Sequence, residues 1–144
     1  MKPKAIYAGS FNPLHLGHID IIKKANKLFD LTLVIAQNPE KPERDHKIID
    51  RQIKFMRESL AQHTITLPIE VLKHNTLLVD YAEKNGFEYL IRSFRNGSEA
   101  DSELLMAWAN EGIGGIQTVF IMPDKELLYY SSTLCRVIDL SKKG

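Results

Sequence analysis

Short apolar runs alternate along this chain with longer stretches whose apolar residues recur on one helical face, and the alternation predicts strands and helices in turn. Ala5 to Ala8 is an apolar run ending just ahead of Gly9, the pattern of a buried strand. From Gly17 onward Ile19, Ile21, Ile22, Ala25, Leu28 and Phe29 fall mostly on one face, with Lys23, Lys24 and Lys27 opposite, which predicts an amphipathic helix. Leu31 to Ala36 is a second β-branched run, closed by Asn38-Pro39. Pro39 to Lys47 is polar and predicts a mobile loop. Ile48 to Leu60 is helical in pattern, Ile65 to Val71 is strand-like but broken by Pro68, and Leu77 to Lys84 is a short helix closed by Asn85-Gly86. Tyr89 to Ile91, Glu99 to Glu111, Thr118 to Met122 and Ser131 to Ile138 complete the series as strand, helix, strand and helix.

A βα unit repeated about five times predicts an α/β fold: a Rossmann-like, doubly wound, five-stranded parallel sheet with helices on both faces. Residues 1–144 form one domain by this reading, long enough for a single core. In such sheets ligands bind beyond the carboxyl ends of the strands, so the loops after each strand are the place to look for chemistry.

Composition narrows the classes. A net charge of +1 argues against a nucleic-acid partner, which calls for a strongly basic face. No stretch approaches the roughly 18 apolar residues of a membrane span, and MKPKAIYAGS lacks the apolar core of a secretory leader. A single cysteine, Cys135, forms no internal disulfide and fits a reducing compartment. A cytoplasmic protein is the expectation.

The strand ends carry residues suited to phosphate. After the first strand come Gly9, Ser10, Phe11, Asn12 and Pro13, then His15-Leu16-Gly17-His18 at a helix start. A helix N-terminus attracts anions, Gly17 removes a side chain that would block close approach, and two imidazoles spaced i, i+3 could donate to the same phosphoryl oxygens. Neither GxxxxGK[ST] nor GxGxxG occurs. A zinc reading of HxxH lacks the third and fourth ligands such a site takes. Lys41 in the polar loop could swing onto a phosphate, and Arg92 with Arg95 could neutralise a polyphosphate. Glu103 follows in the next helix, able to bond a nucleotide or face solvent. Ser131, Ser132 and Thr133 form a hydroxyl cluster at a helix start, an N-cap or a set of phosphate donors. The Leu104-Leu105-Met106-Ala107-Trp108 stripe predicts core or a subunit contact. With no placed nucleophile, the chemistry these groups support is positioning and charge stabilisation.

The stretch AIYAGSFNPLHLGHIDII resembles the HxGH nucleotidyltransferases. LLVDYA at 77–82, IRSFR at 91–95, Glu103 and SST at 131–133 make the chain similar, over residues 4 to about 138, to the bacterial phosphopantetheine adenylyltransferase family. The resemblance implies transfer of AMP from ATP to 4′-phosphopantetheine, with Mg²⁺ carried by the ATP phosphates, and a homohexamer. It implies that His18 stabilises the transition state, with Lys41 and Arg92 near the transferring centre. It implies ATP contacts from Ser10, Phe11, His15, His18, Ser93, Phe94, Arg95, Glu103, Leu127, Leu128, Tyr129, Tyr130, Ser131, Ser132 and Thr133. Ser10, Lys41, Leu78 and Arg92 would meet phosphopantetheine. Ser93 stands where the family usually has glycine, which would strain a left-handed backbone there. Thr76 departs from the usual residue before the leucine pair, and Lys47 competes with Lys41 for the lysine role. The residues leave two other readings open. One is a sister transferase acting on nicotinate or nicotinamide mononucleotide or moving a cytidylyl group, partly imitated by Ser131, Thr133 and Arg136. The other is a nucleotide-binding module without catalysis.

Overall fold

The computed structural model describes residues 1–37 and 40–127. Strand β1 (Lys4–Gly9) leads to helix α1 (Leu16–Leu28), β2 (Asp30–Ile35), α2 (His46–Ala61), β3 (Ile69–Val71), α3 (Leu78–Lys84), β4 (Tyr89–Arg92), α4 (Gly97–Gly114) and β5 (Gln117–Phe120), followed by a 3₁₀ turn at Lys125–Leu127. The five strands form one parallel sheet in the order β3-β2-β1-β4-β5. Tyr7 of β1 stands opposite Leu33 of β2 on one side and Ile91 of β4 on the other. The chain therefore winds outward from β1 in one direction, returns, and winds outward again, leaving a crevice at the carboxyl ends of β1 and β4.

The period-2 alternation of the strands assigns their two faces. Ala5, Tyr7, Leu31, Leu33, Ile35 and Ile91 are buried with Ile19, Ile22 and Ala25 of α1 and Met56 and Leu60 of α2. Ile6, Ala8, Val34 and Leu90 point the other way, onto Val79 and Ala82 of α3. The expected α/β architecture is thus present, with helices on both faces.

Element ends follow from caps. Helix α2 begins at His46, two residues before the apolar periodicity, because the Asp45 side chain accepts from the Lys47 N–H at 2.9 Å. Helix α4 starts behind Asn96, whose side chain accepts from Glu99 N at 2.9 Å, and stops at Gly115 in the left-handed conformation at φ 67°. The third strand is shorter than the apolar run. Proline at position 68 has no N–H to give, and regular pairing is confined to Ile69–Val71. The apolar stripe of α4 is not core: Leu105 and Trp108 are each 64% exposed, and no residue of the helix is buried. The helix expected over 131–138 and Cys135 lie outside the described residues. Among the described residues no helix is long and apolar enough to cross a membrane.

Candidate active site

At the carboxyl ends of β1 and β4 lies a cavity of about 440 Å³, within the range of small-molecule sites. The β1 side supplies Tyr7, His15, Gly17 and His18. The β4 side supplies Ser93, Phe94, Arg95 and, from α4, Glu99 and Glu103. Pro123 and Leu127, after β5, close the third side. Three strand ends predicted to share a ligand are therefore brought to one space.

The two histidines form a reciprocal cap. His15 is the N-cap of α1, in extended conformation, and its Nδ1 accepts from Gly17 N at 3.1 Å. The His18 Nδ1 accepts in return from His15 N at 3.1 Å. The rings stack with centroids 3.7 Å apart. With Nδ1 occupied as an acceptor in both rings, each neutral imidazole carries its proton on Nε2. Burial, reinforced by the Arg95 charge, lowers the His15 pKa from 6.5 to about 4. Burial, reinforced by His15, lowers that of His18 to about 3. Gly17 serves this cap: a Cβ there would stand 3.0 Å from the His15 ring and 3.5 Å from the Leu127 carbonyl oxygen. The space that glycine was expected to leave for a ligand is taken by the protein's own imidazole.

Arg92 and Glu103, expected to contact substrates separately, are paired with each other. Arg92 donates from Nε and Nη2 to the two carboxylate oxygens of Glu103, at 3.0 and 2.8 Å, and from Nη1 to the Ala8 carbonyl at 3.0 Å. The fork ties the end of β4 to the end of β1 and to α4. The hydrogen bonds and charge of Glu103 raise the arginine pKa against the effect of burial. Tyr7 lies beneath, edge-on to Phe11; burial pushes its phenol well above the usual range, so it stays protonated. Arg95 lines the cavity while donating to Glu99 at 2.7 Å from Nη2. Its hydrogen bonds hold the Glu99 carboxyl below the usual range. Ser93 is not in the left-handed region, so its replacement of glycine carries no backbone strain.

Other expected residues sit differently. The Phe11 side chain is 1% exposed and packs edge-on behind His18, so its ring is core rather than cavity lining. Ser10 is exposed at the tip of β1. Lys41 is outside the cavity, its carbonyl oxygen 3.1 Å from His74 Nε2. Leu78 packs against the core under α3, while Leu77 borders a second cavity of about 190 Å³ together with His74 and Thr76. Leu128 to Thr133 lie outside the described residues. Gln52, which the periodicity of α2 does not distinguish, donates from Nε2 to the carbonyls of Ser10 at 2.6 Å and Phe11 at 2.8 Å. Its Oε1 accepts from Arg44 Nη1 at 2.8 Å. Among the described residues no group of three or more His, Cys, Asp or Glu is arranged to hold a metal ion.

Comparison with known proteins matches residues 6–138 to the cytidylyltransferase-like family. Phosphopantetheine adenylyltransferase of Kocuria rhizophila is 39% identical over 132 residues, covering 91% of this chain and 82% of that protein. Phosphopantetheine adenylyltransferase of Nautilia profundicola is 36% identical, covering 96% of this chain and 88% of its own. That of Thermotoga neapolitana is 37% identical, at 93% and 81% coverage. Among solved structures, a protein of unknown function from Archaeoglobus fulgidus matches with a TM-score of 0.56 at 20% identity, covering 89% of this chain and 94% of its own, which shows the fold alone. A crevice at the centre of a doubly wound sheet, with a histidine pair at its β1 end, thus accompanies clear likeness in sequence, and the chain belongs to the cytidylyltransferase-like family and, within it, to the phosphopantetheine adenylyltransferases.

Proposed function

We propose that this protein transfers the adenylyl group of ATP to 4′-phosphopantetheine, giving dephospho-coenzyme A and pyrophosphate, a step of coenzyme A biosynthesis. The observation that carries the mechanism is the histidine pair, fixed as neutral Nε2–H donors at the mouth of β1. A phosphate oxygen of the acceptor forms the new bond to the α-phosphorus, while the bond from that phosphorus to the bridging oxygen breaks. The electron pair leaves with pyrophosphate. The attacking oxygen is already ionised near neutral pH, so the step needs no general base. It needs aligned reactants and donors aimed at charge gathering on the α-phosphoryl oxygens.

His18 supplies such a donor, and His15 a second against the neighbouring phosphates. Arg92 and Lys41 hold the acceptor phosphate, Ser10 stands between the substrates, and Leu78 borders the pantetheine arm. Ser93, Phe94, Arg95, Glu103 and Leu127, which line the cavity, surround ATP, and the Phe11 ring backs His18 from the core. Both glutamates of the cavity are engaged with arginines, Glu103 with Arg92 and Glu99 with Arg95. Mg²⁺ carried by the ATP phosphates would supply charge neutralisation on the leaving group, while His15, His18 and Arg95 would act on the phosphoryl oxygens. A cytoplasmic homohexamer completes the proposal.

The test is pyrophosphate release from ATP and 4′-phosphopantetheine by the wild type and His18→Ala. Removing one charge-stabilising donor is expected to lower kcat by about 10²- to 10³-fold. Equal background release in both would overturn the reading. Parallel assays with CTP and with nicotinate mononucleotide would expose a sister activity.

A further inference from the structure

Lysines on the polar face of an amphipathic helix ordinarily reach only solvent, yet the ammonium of Lys24 of α1 has three protein oxygens around it. Its Nζ lies 3.0 Å from Asp20 Oδ2, 2.8 Å from the Met122 carbonyl oxygen and 2.9 Å from Asp124 Oδ1. Asp20 Oδ2 also accepts from the Asp124 N–H at 2.7 Å. The Asp124 carbonyl in turn accepts from Leu127 N at 2.8 Å, closing the 3₁₀ turn. Asp20 and Lys24 are one turn apart on α1, whose first turn carries His18. Met122 and Asp124 flank Pro123, which lines the cavity, and Leu127 lines it too. The carbonyl of Leu127 is packed close to Gly17, so the wall meets the histidine cap directly.

We propose that Asp20, Lys24 and Asp124 are positioning residues for the nucleotide: a polar clamp that holds the Met122–Leu127 wall at a fixed distance from the His15–His18 cap. The proposal rests on the adenylyltransferase reading, because it assigns the cavity to ATP. The clamp touches no reacting atom. It sets the width of the space between the wall and the imidazoles, and so acts on nucleotide affinity rather than on the acceptor. The hydrogen bonds to Asp124 and Asp20 raise the Lys24 pKa. The clamp therefore stays charged throughout the neutral range.

The experiment compares Lys24→Met and Lys24→Arg with the wild type, in the full chain, by calorimetric ATP binding and by steady-state kinetics with both substrates varied. Lys24→Met is expected to raise Kd and KM for ATP about tenfold, with kcat and the acceptor KM within about twofold and Tm little changed. Lys24→Arg keeps charge and donors and should stay within about threefold of wild type for ATP. An unchanged ATP affinity in Lys24→Met overturns the proposal. So does a rise in both KM values together with a falling Tm, or an arginine variant as weak as the methionine one. If the wild type binds ATP but does not turn over 4′-phosphopantetheine, the proposed reaction fails while the Kd comparison still decides the clamp. If the wild type does not bind ATP, both fall.

Discussion

A proton added to either His15 or His18 would evict a backbone hydrogen bond from its Nδ1, and this links the cap to pH. The unfolded chain takes up protons on these rings as pH falls through 6.5, whereas the folded chain resists until about 4 and 3. In that window the unfolded state binds more protons, so stability is complete above 6.5 and declines below it. Thermal melts from about pH 7.5 down to 5 should show the decline, and His18→Gln should make it shallower. The imidazole Hε1 resonances of both residues should hold their positions over the same range. Gly17→Ala tests the cap sterically: a methyl 3.0 Å from the His15 ring forces the stack apart, and a stability loss of about 1–3 kcal/mol with reduced turnover is expected from denaturation and pyrophosphate assays. The sequence announced that these two histidines and their glycine belong together. It did not announce that they cap each other, because i, i+3 spacing places both on a helix, whereas His15 stands just outside it in extended conformation.

Between elements, the loop after β1 owes its shape to α2. Phe11 has φ 45°, a left-handed conformation that a bulky residue adopts only when its surroundings enforce it. Gln52 supplies the enforcement through two hydrogen bonds to the carbonyls of Ser10 and Phe11. Gln52→Ala removes both, and urea denaturation should report a loss of about 1–3 kcal/mol. Gln52 was invisible in the sequence for a physical reason. Its partners are backbone oxygens 41 and 42 residues away, and no residue type advertises a carbonyl. The same holds for Lys24, whose polar spacing looks like any solvated lysine until the Met122 carbonyl comes into reach. Strands β1, β2 and β4 were legible because continuous apolar runs mark strands covered on both faces. The Arg92–Glu103 pair was half legible: a charge at a buried strand end calls for a partner, but the run of residues between them does not name it.

At the scale of the whole molecule, α4 presents Leu104, Leu105, Met106, Trp108 and Ile113 to solvent, each at least 40% exposed. Leu105 and Trp108 stand three residues apart on one side of the helix, a spacing that builds a contact face. The proposed homohexamer would cover them. Leu105→Glu combined with Trp108→Glu should shift the sedimentation coefficient toward smaller species while leaving the far-ultraviolet circular dichroism intact, since neither residue is in the core. An unshifted coefficient would place the assembly elsewhere.

The sheet's own borders argue for where association stops. Among the described residues its outermost strands, β3 and β5, are three and four residues long. A foreign strand arriving at either rim finds only a rung or two to grip, too little backbone to template further growth. Crowding such molecules together favours pairing through side chains on helices over strand-to-strand threading into fibrils.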